Sequence, residues 1–248
     1  MSILPEAVEY HLPVNSLLAM SWVTWLVMLA LSIPLIRRIS RQAPSGLQSF
    51  WEFVFEKIFD LADGMIGPEA GRYYPLFVGV FCYVLFGNLL GLIPGFSSPT
   101  STLNTTVALA AVVFVYYNYQ GIRQGGTDYL KHFCGPVIKW YAVPLMILFV
   151  FIEVIGHLAR PVSLAVRLFG NILAKEVLLG ILALLMVVFS GLPGTGLKLM
   201  LFPAPLLLRP LIVVLGTLVS VIQAGVFTIL TMIYVAGAVQ LHHRENAH

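Results

Sequence analysis

Ile152–Leu179 reads IEVIGHLARPVSLAVRLFGNILAKEVLL, and how this stretch is understood decides the fold. It lies in one of the most apolar parts of the chain, yet it carries Glu153, His157, Arg160, Arg167, Asn171, Lys175 and Glu176. An ionisable side chain at bilayer depth costs about 2.5–3.5 kcal/mol on insertion scales. Such a set is not retained for stability. At 3.6 residues per turn, Glu153, His157, Arg160, Arg167, Asn171 and Lys175 fall within about 40° of one line along a helix. The pattern is a polar stripe on an oily rod. Arg167 matters most, because a guanidinium stays charged at any relevant pH and needs a carboxylate partner in oil. Glu176 is turned roughly 180° from Arg167. An ion path is the functional reading; a structural Arg–Glu pair inside a helix bundle is the plainer alternative.

The rest of the chain agrees with a membrane setting. Of 248 residues, 59% are hydrophobic and only 10% charged, against about 25% charged in soluble domains. The expectation is an all-α integral membrane protein, one membrane domain over 1–248. The net charge of +3 argues against nucleic-acid binding. Cys82 and Cys134 offer neither a disulfide framework nor a CxxC metal site, so no metal is expected. Of six histidines, only His157 sits in an apolar stretch, too few for a bis-histidine haem between helices. No cofactor is expected.

Working outward, Pro144–Phe189 (144–189) is overlong for one perpendicular crossing: about 70 Å as a helix against about 30 Å of hydrocarbon. The stripe keeps its register across Pro161, so one tilted, kinked helix is expected. A Gly/Pro-rich turn follows, and Leu206–Leu241 (206–241) is again overlong. It carries Gln223 on one line with Gly216, Ser220, Phe227 and Tyr234, and Gly216, Ser220 and Ala224 form a ridge of small residues. The last two helices are thus expected as a long, strongly tilted antiparallel hairpin.

Before them, 14–36 reads as a first span and not as a cleavable leader, because it follows Glu6 and Glu9 and has no basic start. Arg37, Arg38 and Arg41 place its end in the cytoplasm and the N-terminus outside. Residues 45–63 are too charged to span. Leu47, Phe50, Trp51, Val54, Ile58, Leu61 and Ala62 oppose Gln48, Glu52, Glu56, Lys57, Asp60 and Asp63, which suits an amphipathic helix in the cytoplasmic interface; a soluble helix packed on a partner is the alternative. Residues 73–95 and 103–122 form a helical hairpin with an uncharged outer turn. A cytoplasmic loop with Gly125, Gly126 and Asp128 follows. Five membrane-embedded helices, with the C-terminus cytoplasmic, satisfy every basic loop.

RPVSLAVRLFGNILAKE (Arg160–Glu176), VIQAGVFTILTMIYV (Val221–Val235), GNLLGLIPG (Gly87–Gly95) and FIEVIGHLARPVSL (Phe151–Leu164) closely resemble subunit a of the F-type ATP synthase membrane sector. The resemblance runs from about Val14 to Val239 and is least specific near the start. It implies a non-catalytic stator subunit in a bacterial plasma membrane. The implied partners are a rotor ring of c subunits, a b-subunit peripheral stalk, the remaining ATP synthase subunits, lipid and protons. Arg167 resembles the essential arginine that faces the rotor carboxylates and separates two proton half-channels. Glu176 and Asn171 match residues of the outer half-channel, Gln223 the glutamine beside the arginine, and Glu153 the acid near the inner half-channel. His157 and Arg160 lie in a variable turn. Where some members carry an ionisable group two turns before Gln223, this chain has Gly216, so the outer path is expected to rely on Glu176, Asn171, Ser220 and water. The alternatives are a stand-alone multi-pass ion channel or secondary transporter, and an intramembrane hydrolase. The hydrolase reading lacks an HExxH, a GxSxG or an Asp pair.

Overall fold

The computed structural model describes residues 21–30, 46–93, 98–132, 143–191, 196, 200–201 and 203–245. Every element among them is helical. In chain order these are α1 (Ser21–Ala30), α2 (Gly46–Ile66), α3 (Tyr74–Leu90), α4 (Leu103–His132), α5 (Val143–Ser190) and α6 (Pro203–Glu245). Short 3₁₀ turns, Ala70–Arg72 and Pro99–Ser101, precede α3 and α4. The outer parts of the expected first span, and most of the Gly/Pro turn before α6, lie outside the described residues.

α3 is apolar on every side, the pattern of a central helix. Phe77, Val84 and the polar Asn88 are at most 2% exposed. At its end the chain doubles back tightly. A Cβ at Gly91 would stand 2.7 Å from that of Ser98, so only glycine permits this approach. The Ser98 hydroxyl donates to the Gly87 carbonyl at 2.8 Å and receives the Thr100 N–H, capping the turn. α4 then runs antiparallel to α3: Thr100 meets Asn88 at one end, and Gln124 donates to the Tyr73 hydroxyl at the other. The cytoplasmic loop expected from Arg123 onward begins as helix. α4 continues beyond Ile122 and breaks at Gly126 (φ 53°, ψ −130°), a backbone region that glycine reaches freely.

α2 corrects the expectation for 45–63 in one respect. It runs antiparallel along α3, with Phe59 stacked on Tyr74 and Trp51 against Phe86. Its packed face is Trp51, Val54, Phe55, Ile58, Ala62 and Ile66. Phe50 and Leu61, expected on that face, are exposed, whereas Gln48 is buried and bonded to Glu52. The apolar arc of α2 is wider than the strip that α3 and α6 cover, so the packed face is only part of it.

α5 is helical without interruption through Pro161 for 48 residues, and α6 through Pro210 for 43. Both contain segments long and apolar enough to cross a membrane. They run antiparallel: Arg160 faces Tyr234, Asn171 meets Gln223, and Lys175 meets Ser220, so numbers rise on one helix as they fall on the other. α6 also packs on α2, α3 and α4. Its Phe227, Met232, Val235 and Val239 join Leu164, Leu168 and Ile172 of α5 in the common core. Only 11% of the most apolar window of α5 is buried within the chain. A helix this apolar, so little covered by its own chain, belongs against lipid or other subunits.

Candidate functional site

The polar stripe of α5 straddles the border between its packed and open faces. Leu164, Ala165, Leu168 and Ile172 are buried on one side of it. His157 and Lys175 lie at that edge of the stripe, and Arg167 at the opposite edge, about 80° away. The consequence is direct. His157 is 8% exposed and Lys175 half-buried, whereas the Arg167 side chain is exposed. Among the described residues Arg167 makes no ion pair.

Beside Arg167, one turn toward the α5 C-terminus, the amide of Asn171 donates to Oε1 of Gln223 at 2.6 Å. Gln223 is 4% exposed, and with its oxygen so engaged, its Nε2 donor has no partner among the described residues. The middle of the site thus offers one fixed cation and one uncommitted amide donor.

Further along α5 toward its C-terminus, the Lys175 ammonium donates to the Ser220 hydroxyl at 3.0 Å, and Ser220 donates to the Gly216 carbonyl at 2.7 Å. Position 216 is filled by its neighbours. A Cβ there would lie 2.8 Å from Cδ2 of Leu92 and 3.5 Å from Cδ of Lys175. Sequence reasoning left the outer path without a second ionisable group opposite Gly216; Lys175 of the facing helix reaches that place. Lys175 was visible in the stripe, but only the antiparallel register of α5 and α6 shows what it faces. Glu176 is turned away from Arg167, its carboxylate directed at the backbone N–H of Ser98. Ser98 belongs to a polar knot with Thr100 and Asn88, and the Asn88 Nδ2 is buried without a partner among the described residues.

Toward the α5 N-terminus the stripe meets α4. Nε2 of His157 lies 2.8 Å from Oδ1 of Asn118 and 3.4 Å from the Tyr117 hydroxyl. Its ring packs on Phe114 and Tyr117. Tyr117 touches Tyr234 of α6, over whose ring Arg160 lies at 5.8 Å. Glu153 is half-buried one turn before His157. Asn118 was absent from the sequence-derived set, although an amide inside an apolar run was its signal.

The expected residues therefore form a column along the α5–α6 seam and not one cluster. Asn171 joins Gln223 and Ser220 joins Gly216, while Glu153, Arg167 and Glu176 stay apart. Among the described residues no three of His, Cys, Asp and Glu come together as a metal site.

The sequence profile of the family described as ATP synthase A chain matches residues 18–236. The chain is 42% identical over 223 residues to ATP synthase subunit a 1 of Syntrophotalea carbinolica, covering 90% of this chain and 85% of that protein. It is 43% identical over 222 residues to subunit a 1 of Pelobacter propionicus, covering 89% and 87%. To ATP synthase subunit a of Geobacter sulfurreducens it is 40% identical over 222 residues, with the same coverages.

Proposed function

The chain belongs to the ATP synthase A chain family, and from that premise we propose that it is the stationary subunit a of an F-type ATP synthase, passing protons to and from a turning ring of c subunits. The observation that carries this reading is Arg167, a permanent cation on the open face of an apolar helix, unpaired among the described residues. A bare guanidinium in a membrane needs an acid from outside the chain. A rotor carboxylate passing this face would be drawn into its ionised form and released as the ring turns. The uncommitted Gln223 donor, one turn away, is available to the same carboxylate.

Two passages reach this barrier from opposite sides. The outer one is lined by Asn171, Glu176, Ser220 and Lys175, with Gly216 making room. The inner one runs past Glu153, His157 and Arg160. Because Arg167 cannot give up its proton, protons do not leak from one to the other. A lysine would be a poorer barrier, since a buried ammonium can be deprotonated. A proton falling through about 200 mV releases roughly 4–5 kcal/mol, and the subunit delivers it as rotation without bond chemistry of its own.

Five membrane passages, with the N-terminus outside and the C-terminus in the cytoplasm of a bacterial cell, complete the arrangement. The exposed apolar side of α5 and α6 faces the ring; b subunits and the rest of the complex hold the chain still. The decisive experiment is Arg167→Ala in the whole complex in sealed vesicles. Proton-driven ATP synthesis disappears while assembly, judged by co-purification with the c ring, is retained. Synthesis near the normal rate would refute the role.

A further inference from the structure

We propose that Leu92, in the turn that follows α3, is a positioning residue of the outer passage: lodged over Gly216 of α6, it keeps Lys175 on Ser220 and away from Glu176, and so leaves that carboxylate unpaired and able to take up and release protons. The inference rests on the outer-passage reading given above and adds to it a residue whose side chain has no polar atom.

Lys175 and Glu176 are neighbours on α5, both half-buried in an apolar setting. Consecutive helical positions diverge by about 100°, so the two do not face each other. The lysine stem is nonetheless long and flexible enough to swing across, and opposite charges attract strongly where the dielectric is low. Yet among the described residues the two form no ion pair. Each turns to a different partner. The Lys175 ammonium donates to the Ser220 hydroxyl at 3.0 Å, and the Glu176 carboxylate is directed at the backbone N–H of Ser98.

The outer turn touches both side chains. On one side it presents Ser98, tied to the Gly87 carbonyl by its hydroxyl at 2.8 Å. On the other it presents Leu92, whose N–H donates back to the Leu89 carbonyl at 3.0 Å. A Cβ built at Gly216 marks how closely the parts meet: it would stand 2.8 and 3.7 Å from the two Leu92 methyls and 3.5 Å from Cδ of Lys175. Leu92 and the lysine stem therefore share the notch that glycine leaves in α6, and the stem lies against α6 with its ammonium at Ser220. The Ser220 hydrogen is engaged on the Gly216 carbonyl at 2.7 Å, so its oxygen faces the lysine as an acceptor. Removing the isobutyl group of Leu92 frees the stem to move toward Glu176.

The knot beside Glu176, made of Asn88, Ser98 and Thr100, is neutral, and the first turns of α4 carry no charge. On α6 the nearest ionisable residue, Arg209, lies two turns beyond Gly216. Arg167 is more than two turns back, on the other side of α5. Lys175 is thus the charge that acts on Glu176.

The test measures proton-driven ATP synthesis by the whole complex in liposomes, at a fixed potential, while the pH on the outer face is varied. Leu92→Ala lets Lys175 pair with Glu176. A paired carboxylate needs more acid before it takes a proton, so the half-maximal point of the profile moves down by about 1 pH unit and the rate near neutral pH falls several-fold. Leu92→Met, close in volume, recovers most of both losses. In a Lys175→Met background, Leu92→Ala no longer moves the midpoint, because the competing ammonium is gone. Assembly of each variant is checked by co-purification with the c ring; if Leu92→Ala fails it, Leu92→Val is measured in its place. A midpoint unmoved by the shortened side chain, with the rate lowered by one factor at every pH, would mean that Leu92 only fills space and would overturn the proposal. So would an equal shift with and without Lys175. If Lys175→Met runs too slowly for a profile, the midpoint of the Leu92 variant decides by itself. Arg167→Ala, run alongside, separates the two levels. If that variant still makes ATP, the stator reading itself has failed; if it does not, and the Leu92 midpoints are unmoved, only this inference has.

Discussion

Arg167 and His157 lie ten positions apart on one helix and meet opposite fates, exposed and buried. The difference comes from about 80° of rotation across a border between packed and open faces. The stripe itself was legible from residue spacing, because six polar groups at helical intervals in an apolar run admit few other readings. Which edge faced inward was not legible, since that depends on where α4 and α6 lie. Lys175 shows the same limit: its spacing was plain, but its placement against Ser220 and Gly216 needed the register of a helix some 45 residues away in sequence. At this scale the proposed outer passage makes a specific prediction. Glu176→Gln lowers proton flux at least tenfold in a fluorescence-quench assay, because it removes a titrating group from the path. Glu56→Gln, exposed on α2, leaves flux within a factor of two. Equal effects would contradict the assignment of Glu176.

Helices α5 and α6 are held together by few polar contacts. Asn171–Gln223 and Lys175–Ser220 are side-chain bonds between them, set in an apolar seam of Leu164, Leu168, Ile172 and Phe227. Hydrogen bonds between membrane helices average about 0.6 kcal/mol and reach about 1.7 in double-mutant cycles. A cycle of Asn171→Ala and Gln223→Ala, read by denaturant-induced unfolding in detergent, is expected to give a coupling of about 0.5–1.5 kcal/mol. Zero coupling would mean that the pair does not form. The existence of these two helices could be read from run length alone, and the continuity of α5 through Pro161 from the stripe, which keeps its register there with no polar linker to break it. The packing of α2 could not. Its apolar residues cover more than half of the helix circumference, and only the presence of α3 and α6 selects Trp51, Val54, Ile58 and Ala62 over Phe50 and Leu61. Likewise the helix past Ile122 was hidden by glycines that looked like a loop, while the backbone leaves the helix only at Gly126.

For the whole molecule, the proposed arrangement of spans follows from where arginines and lysines gather. The proposed five passages predict that a short tag at the N-terminus is reached by an impermeant reagent from outside the cell, and one at the C-terminus only after the membrane is opened. Labelling of both from the same side would require an even number of passages. The molecule is also lopsided. α3 is wrapped by its neighbours, whereas the long apolar side of α5 meets little of its own chain among the described residues. Newly made chains thus carry an unfinished surface that lipid covers but does not lock in place. Such a subunit has a biography that depends on its companions: before they arrive it is a natural client of membrane insertases and a target for intramembrane proteolysis, and its lifetime in the cell is expected to track how fast the rest of the complex is supplied.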